Sequence, residues 1–349
     1  MVFVQHARGR LPTSGAYNRL FDYGTFWGGV DIFLAISGFV ICASACGRHR
    51  DVFSARLSYP QLKTFWLRRA WRLFPAAWFW LCVSIILTPW LTDLPAADVV
   101  LVAKSALYAI AGVSNAYWWQ CVQHGGIGVW CPNPDINGVY WSLSLELQLY
   151  LLISLALFWG SMRSLIVLAV IACVAWPGMG ANFTFAWSFR PQAFCMGILA
   201  YAFVAGFPGA VAEIPRLWRQ IGIGICFMLV YLAPTWFPRN ALALMAVASA
   251  GCVLLASADG ALGRGRLAAT FGWIGDRSYS IYLCHLPVLL ALGEIARRLE
   301  LPSHPGVIVH AVYLALSAAL ILVLSDLSFR FLERPATAWG KRQTAIEAR

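Results

Sequence analysis

The chain has 349 residues, of which 60% are hydrophobic and only 12% charged, against roughly 25% charged in a soluble globular domain. That balance excludes an ordinary soluble enzyme. The net charge of +11 is carried in short segments between apolar stretches rather than in a basic tail, which points to a lipid bilayer and away from nucleic acid.

In chain order, Met1–Ala7 is apolar but too short for a cleavable signal peptide, and it leads into the polar stretch Arg8–Asp22. Gly24–Ala45 and Leu73–Thr92 each hold about 20 mostly apolar residues, the length that crosses a bilayer. Asp98–Trp119 carries Lys104 and runs into the polar loop Gln120–Gly138. Beyond it come Tyr140–Trp159, Ser164–Pro177, Phe185–Ala205, Gln220–Phe237, Ala241–Ala256, Trp273–Gly293 and Gly306–Ser325, with Pro or Gly at several boundaries.

The positive-inside rule decides how Asp98–Trp119 is read. If it does not cross, Arg48, Arg50, Arg56, Lys63, Arg68, Arg69 and Arg72 share a side with Arg163, Arg216, Arg219, Arg264, Arg266 and the basic C-terminus. Only Arg239, Arg297 and Arg298 then fall in the opposite loops after Tyr140. The segment is therefore read as re-entrant or interfacial on the outer side. The expected fold is an all-α polytopic membrane protein, a single domain over 1–349, with about ten transmembrane helices counting a truncated first one at Met1–Ala7. It sits in the inner (plasma) membrane with its C-terminus cytoplasmic. No internal repeat is evident, which disfavours transporters built from inverted halves.

Seven of the ten cysteines, Cys42, Cys82, Cys173, Cys195, Cys226, Cys252 and Cys284, lie in apolar stretches and read as small buried hydrophobes, so no metal site follows from them. Cys121, His124 and Cys131 share one polar loop, where a disulfide, unpaired thiols and a metal are three open readings.

Ionisable groups at membrane depth cost roughly 2.5–3.5 kcal/mol on insertion scales, so each needs a partner or a role. They are His6, Asp31, Glu146 and Arg190, with Asp276, Arg277 and His285 flanking a Ser-Tyr-Ser-Ile-Tyr-Leu-Cys-His run. Each has a plain structural alternative. Asp31 can hold Arg190 or a backbone group, Glu146 can sit at headgroup level, and His285 lies three residues after Tyr282 on the same helix face. Arg68, Arg69 and Arg72 precede a span and can be simple topogenic charge. Arg68 and Arg72 also stack at i, i+4, a spacing that can grip phosphates.

Five motifs occur in one order: Gly29-Val30-Asp31-Ile32-Phe33 through Ser37-Gly38-Phe39; Phe65-Trp66-Leu67-Arg68-Arg69 with Arg72-Leu73-Phe74-Pro75; Trp141-Ser142-Leu143-Ser144-Leu145-Glu146 through Tyr150; Ser278-Tyr279-Ser280-Ile281-Tyr282-Leu283-Cys284-His285-Leu286-Pro287; and Phe329-Arg330-Phe331-Leu332-Glu333-Arg334-Pro335. Together they resemble the integral-membrane acyltransferase family 3 over nearly the whole chain.

The resemblance implies a ten-helix O-acyltransferase that moves an acyl group, commonly acetyl, from cytoplasmic acyl-CoA to a hydroxyl, often of a cell-surface carbohydrate, without a metal. The family pattern places an Arg, ten intervening residues and a His on the first helix. His6 fits the His, and the Arg position falls before Met1, so a truncated first helix is expected. The esterase-like extracytoplasmic domain that often follows in the family is not expected here. A neutral His suits removal of a proton from a sugar hydroxyl, and an acid such as Asp31 or Glu146 can orient that imidazole. His6, Asp31 and Glu146 are thus the candidate catalytic residues. Arg68, Arg69 and Arg72 are candidates for the CoA phosphates, and Trp141, Arg190, Tyr282 and His285 are substrate-binding or structural. Acetyl is favoured as the acyl group, and the acceptor is not named by the sequence. Competing readings are a secondary transporter or flippase, whose proton relays also use intramembrane Asp, Glu, Arg and His, and a non-catalytic membrane protein of the same fold.

Overall fold

A computed structural model describes residues 1–47, 51–91, 98–125, 131–132, 135–176, 183–258 and 265–346. Arg48, Arg50, Thr92, Pro177 and Arg264, and positions 126–130 and 133–134 of the loop Gln120–Gly138, lie outside the described residues. Among the described residues the chain is helical, without a β-strand. In order the helices are α1 (Val2–Ala7), α2 (Gly15–Tyr23), α3 (Gly29–Cys46), α4 (Tyr59–Leu87), α5 (Asp98–Ile110), α6 (Ser114–Gln123), α7 (Tyr140–Trp159) and α8 (Met162–Ala175). They continue with α9 (Phe185–Ser188), α10 (Gln192–Gly206), α11 (Arg216–Trp236), α12 (Ala241–Ala256), α13 (Arg266–Asp276), α14 (Ser278–Arg298), α15 (Val307–Ser328) and α16 (Arg334–Ile346).

Among these residues seven helical stretches are long and apolar enough to cross a membrane: Gly29–Cys46, Tyr59–Trp90, Tyr140–Trp159, Arg216–Trp236, Pro238–Ala256, Ser278–Arg298 and Val307–Ala345. The protein is a multi-pass membrane protein. Several expected spans have different limits, each for a local reason. Phe185–Ala205 is broken at Phe189–Pro191 into α9 and the 15-residue α10, because Pro191 has no N–H and disfavours helical backbone at Arg190. Trp273–Gly293 is interrupted at Arg277, between α13 and α14. Asp98–Trp119 forms two helices of 13 and 10 residues that turn at Gly112, whose φ of 70° favours glycine. Neither helix reaches the roughly 20 residues of a straight crossing. Helix α4 starts well before Leu73, so Arg68, Arg69 and Arg72 lie inside it rather than in a loop.

The chain divides into two compact units. One comprises Met1–Val2, Leu20–Leu62 and Leu145–Gly272. Here α3 and α10 approach closely at two glycines. A Cβ on Gly38 would lie 2.2 Å from the Phe194 carbonyl oxygen, and one on Gly197 would lie 2.1 Å from that of Ala35. Small residues at a helix interface allow such backbone contact where lipid supplies no hydrophobic drive. The other unit comprises Phe3–Arg19, Lys63–Ser144 and Trp273–Arg349. Its core gathers Ala76, Ala77, Trp80 and Leu81 of α4 with Tyr140, Leu143, Tyr279, Leu283, Cys284 and Ile321. Two buried tyrosines also donate to α4 carbonyls, Tyr140 to Ala77 (2.9 Å) and Tyr279 to Leu73 (2.8 Å), satisfying hydroxyls that would otherwise be stranded in the core.

Candidate active site

Helix α1 is only six residues long, far below the length at which a helix holds itself together. It is fixed by side chains from elsewhere in the same unit. The Tyr17 hydroxyl donates to the Val4 carbonyl (2.5 Å) while its ring packs edge-on against His310. Arg10, just past the helix end, forms an ion pair with Asp135 (2.5 Å), and its other terminal nitrogen reaches the His6 carbonyl (3.4 Å). The Arg10 carbonyl lies so close to Gly293 that a Cβ there would come within 2.1 Å of it.

These tethers hold His6 against His285 of α14. Nδ1 of His6 lies 2.7 Å from Nε2 of His285, and Nδ1 of His285 lies 2.7 Å from the Tyr282 carbonyl oxygen. A carbonyl only accepts, so His285 carries its proton on Nδ1, and Nε2 of the neutral ring is an acceptor. His6 must then donate from Nδ1, which leaves the lone pair on its Nε2. Arg10 also places a permanent positive charge near both rings. The Tyr282 hydroxyl is held by Ser142 (2.6 Å) and the Val139 carbonyl (3.1 Å), so the α14 segment that bears His285 is tied to the start of α7. Trp141, the second residue of α7, is buried there.

The group hydrogen-bonded to Nδ1 of His6 is an imidazole, not an acid, because the helix packed against α1 brings His285 to that position.

The candidate carboxylates belong to the first unit. Asp31 and Arg190, each 1% exposed, meet through both carboxylate oxygens, with Nε at 3.2 Å from Oδ1 and Nη2 at 3.1 Å from Oδ2. The guanidinium also donates to the Trp187 carbonyl (2.9 Å) and lies over the rings of Trp27 and Trp187. This forked pairing with aromatic stacking suits arginine and would not suit lysine. Glu146, 3% exposed, accepts from the Ser37 hydroxyl (2.5 Å) and from the Tyr150 hydroxyl one turn further along α7.

The three arginines of α4 differ in surroundings. Arg68 donates from Nε to the Thr344 hydroxyl of α16 (3.0 Å), Arg69 lies over the Phe65 ring, and Arg72 is exposed. A disulfide joins Cys121, in the last turn of α6, to Cys131 in the polar segment that follows, deciding among the three readings of that cysteine pair. Among the described residues no cluster of metal-ligating side chains is present.

Arg10, Asp135 and Tyr17 were not singled out by sequence reasoning, and Ser142 entered it only as part of a motif. Arg10 and Asp135 are 125 residues apart and each sits in polar sequence, where a charge carries no signal of its own.

A family model described as an acyltransferase domain matches residues 1–328. The chain belongs to the acyltransferase 3 family. O-acetyltransferase OatA of Staphylococcus aureus is 26% identical over 344 residues, covering 91% of this chain and 54% of that protein. BcsY of Komagataeibacter xylinus, named as a membrane-bound transacylase, is 28% identical over 340 residues, covering 90% of this chain and 77% of that protein. Peptidoglycan O-acetyltransferase OatA of Listeria monocytogenes is 27% identical over 337 residues, covering 88% of this chain and 50% of that protein. The acyltransferase 3 chain thus spans about half the length of the OatA relatives it matches. No solved structure matches it.

Proposed function

We propose that this protein is a membrane-bound O-acyltransferase that moves an acyl group, acetyl by preference, from acyl-CoA to a hydroxyl of a carbohydrate acceptor. The observation that carries the reading is the ordered His6–His285 pair, with its unprotonated nitrogen at Nε2 of His6. The names of the OatA and BcsY relatives support acyl transfer.

In this reading the acceptor hydroxyl gives its proton to Nε2 of His6 as its oxygen attacks the thioester carbonyl carbon. The carbon–sulfur bond then breaks, and the proton leaves with the CoA thiolate as a thiol. The imidazolium formed on His6 keeps its Nδ1–H bond to His285, so no rearrangement is needed while it carries charge. His285 is a positioning residue for the base, the role an acid fills in a Ser-His-Asp site. Asp31 positions Arg190, and Glu146 positions Ser37 and Tyr150. Arg69 and Arg72 hold phosphates of the donor, and Arg68 anchors α16. The start of α4 and the whole of α16 face the cytoplasm of a cell's inner membrane, as their cations require.

The test is purified protein in lipid nanodiscs, supplied with radiolabelled acetyl-CoA and a panel of surface glycans. Label on a glycan hydroxyl together with free CoA is expected, with both reduced about 10²- to 10⁴-fold in His6→Ala. Absence of both from the wild-type protein, alongside glycan movement across vesicle membranes, would favour a transporter instead.

A further inference from the structure

Two helical stretches are much longer than a bilayer requires. Tyr59–Trp90 has 32 residues and Val307–Ala345 has 39, about 48 and 58 Å at 1.5 Å per residue, against a hydrocarbon core of about 30 Å. In each, the excess is the polar end. Lys63, Arg68, Arg69 and Arg72 lie at the start of α4, and Arg330, Arg334, Lys341 and Arg342 lie at or beyond the end of α15. The overhanging ends pair with each other. Arg68 bonds Thr344, Trp71 donates from its indole to Gln343 (3.0 Å), and a Cβ on Gly340 would meet the Trp71 side chain at 2.8 Å. Advancing along α4 from residue 68 to 71 moves the contact back along α16 from 344 to 340, so the two ends are antiparallel.

These contacts fix which side chains flank the seam. On α16 the face toward α4 is centred on Gly340 and Thr344. Trp339 and Gln343 lie to one side of that face, the side of Trp71, with which Trp339 also makes ring contact. At 100° per residue Lys341 falls on the other side. On α4, Arg72 and then Arg69 lie round from Arg68 on that same other side. Arg342, a further 100° on, points away from the seam. Arg72 and Lys341 are both exposed. A nearby acid is Glu333, which is buried, accepts from the Ser280 hydroxyl and feels the Arg72 charge.

We infer that this flank of the α4–α16 seam is a phosphate-binding groove in which Lys341 of the C-terminal helix joins Arg69 and Arg72 to hold the nucleotide phosphates of the acyl donor. The assignment rests on the acyl-CoA reading above and adds the C-terminal helix to the donor site. Three cations from two helices around one groove bind a polyphosphate more tightly than any single one, because each adds a charge-assisted contact from a backbone that the α4–α16 seam already holds in place. An anionic lipid headgroup offers the same phosphate chemistry.

The experiment measures CoA binding by calorimetry to the full chain, in nanodiscs of phosphatidylcholine alone and with added phosphatidylglycerol. Lys341→Gln is expected to weaken CoA binding roughly tenfold, Lys341→Arg to restore it, and Arg342→Gln to leave it within about twofold, all with unchanged thermal unfolding. Equal CoA affinity for wild type and Lys341→Gln, or equal losses from both Gln variants, would overturn the groove. Loss of phosphatidylglycerol retention on purification without loss of CoA affinity would assign Lys341 to a headgroup and overturn the donor assignment. No CoA binding by the wild-type protein would overturn the acyl-CoA reading itself.

Discussion

Nδ1 of His6 lies 2.7 Å from Nε2 of His285, and the Tyr282 carbonyl on the far side of the second ring determines where each proton sits. If that chain of donors sets up the base, the substitution pattern at position 285 is unusual. His285→Ala removes the acceptor for the His6 N–H and is expected to lower kcat about 10- to 100-fold. His285→Gln, whose side-chain oxygen can accept the same bond, should recover most of it. His6→Ala should cost about 10²- to 10⁴-fold on its own, and His285→Ala should add little once His6 is gone. Steady-state acetyl transfer in nanodiscs measures all three, and equal loss from His285→Ala and His285→Gln would return His285 to a packing role.

On the proposed reading the base requires an unprotonated Nε2, so activity should rise with pH as the His6 imidazolium loses its proton and level off above that point. The residual activity of His6→Ala should lack this acid limb. A pH–rate profile of the two proteins checks the sign.

Arg10 and Asp135 tether the end of α1, and their side chains are 18% and 21% exposed. Arg10→Ala is expected to lower kcat about tenfold with little change in KM, because it misplaces the base without touching the donor site. Asp135→Ala should do the same, and the double variant should be no worse than either single one, with a coupling of about 1–2 kcal/mol in the double-mutant cycle. Strictly additive losses would separate the two residues.

Asp31 and Arg190 form a buried pair, and removing one partner strands the other charge. Asp31→Ala or Arg190→Ala should each destabilise the protein by about 3–5 kcal/mol, whereas replacing both by apolar residues should cost less. Thermal unfolding in nanodiscs tests this. A normally stable but inactive Asp31→Ala protein would instead give the carboxylate a direct part in the chemistry.

The disulfide between Cys121 and Cys131 should leave both thiols unreactive to an impermeant maleimide in intact cells until an external reductant is added. Both should then label from outside, as a loop in an oxidising compartment requires. Peptide mass spectrometry reads the result, and labelling of either cysteine before reduction would contradict the bridge.

Much of this protein was legible without coordinates. The hydrophobic runs forecast a helical membrane protein because a bilayer forces backbone groups to bond within their own segment, and local sequence alone reports that. The five motifs forecast the family, and His6, Asp31, Glu146, Arg190 and His285 stood out because charge at membrane depth is costly. Tertiary structure alone decided who partners whom. That His285 meets His6, that Asp31 meets Arg190 across 159 residues, and that Arg68 bonds Thr344 across 276 depend on helices remote in sequence. Hydropathy averages over a window and carries no information about which face meets which neighbour. Helix limits failed for the same reason. Arg190–Pro191 breaks an apolar run that hydropathy reads as continuous, and α4 extends through Arg68–Arg72 because α16 packs against it.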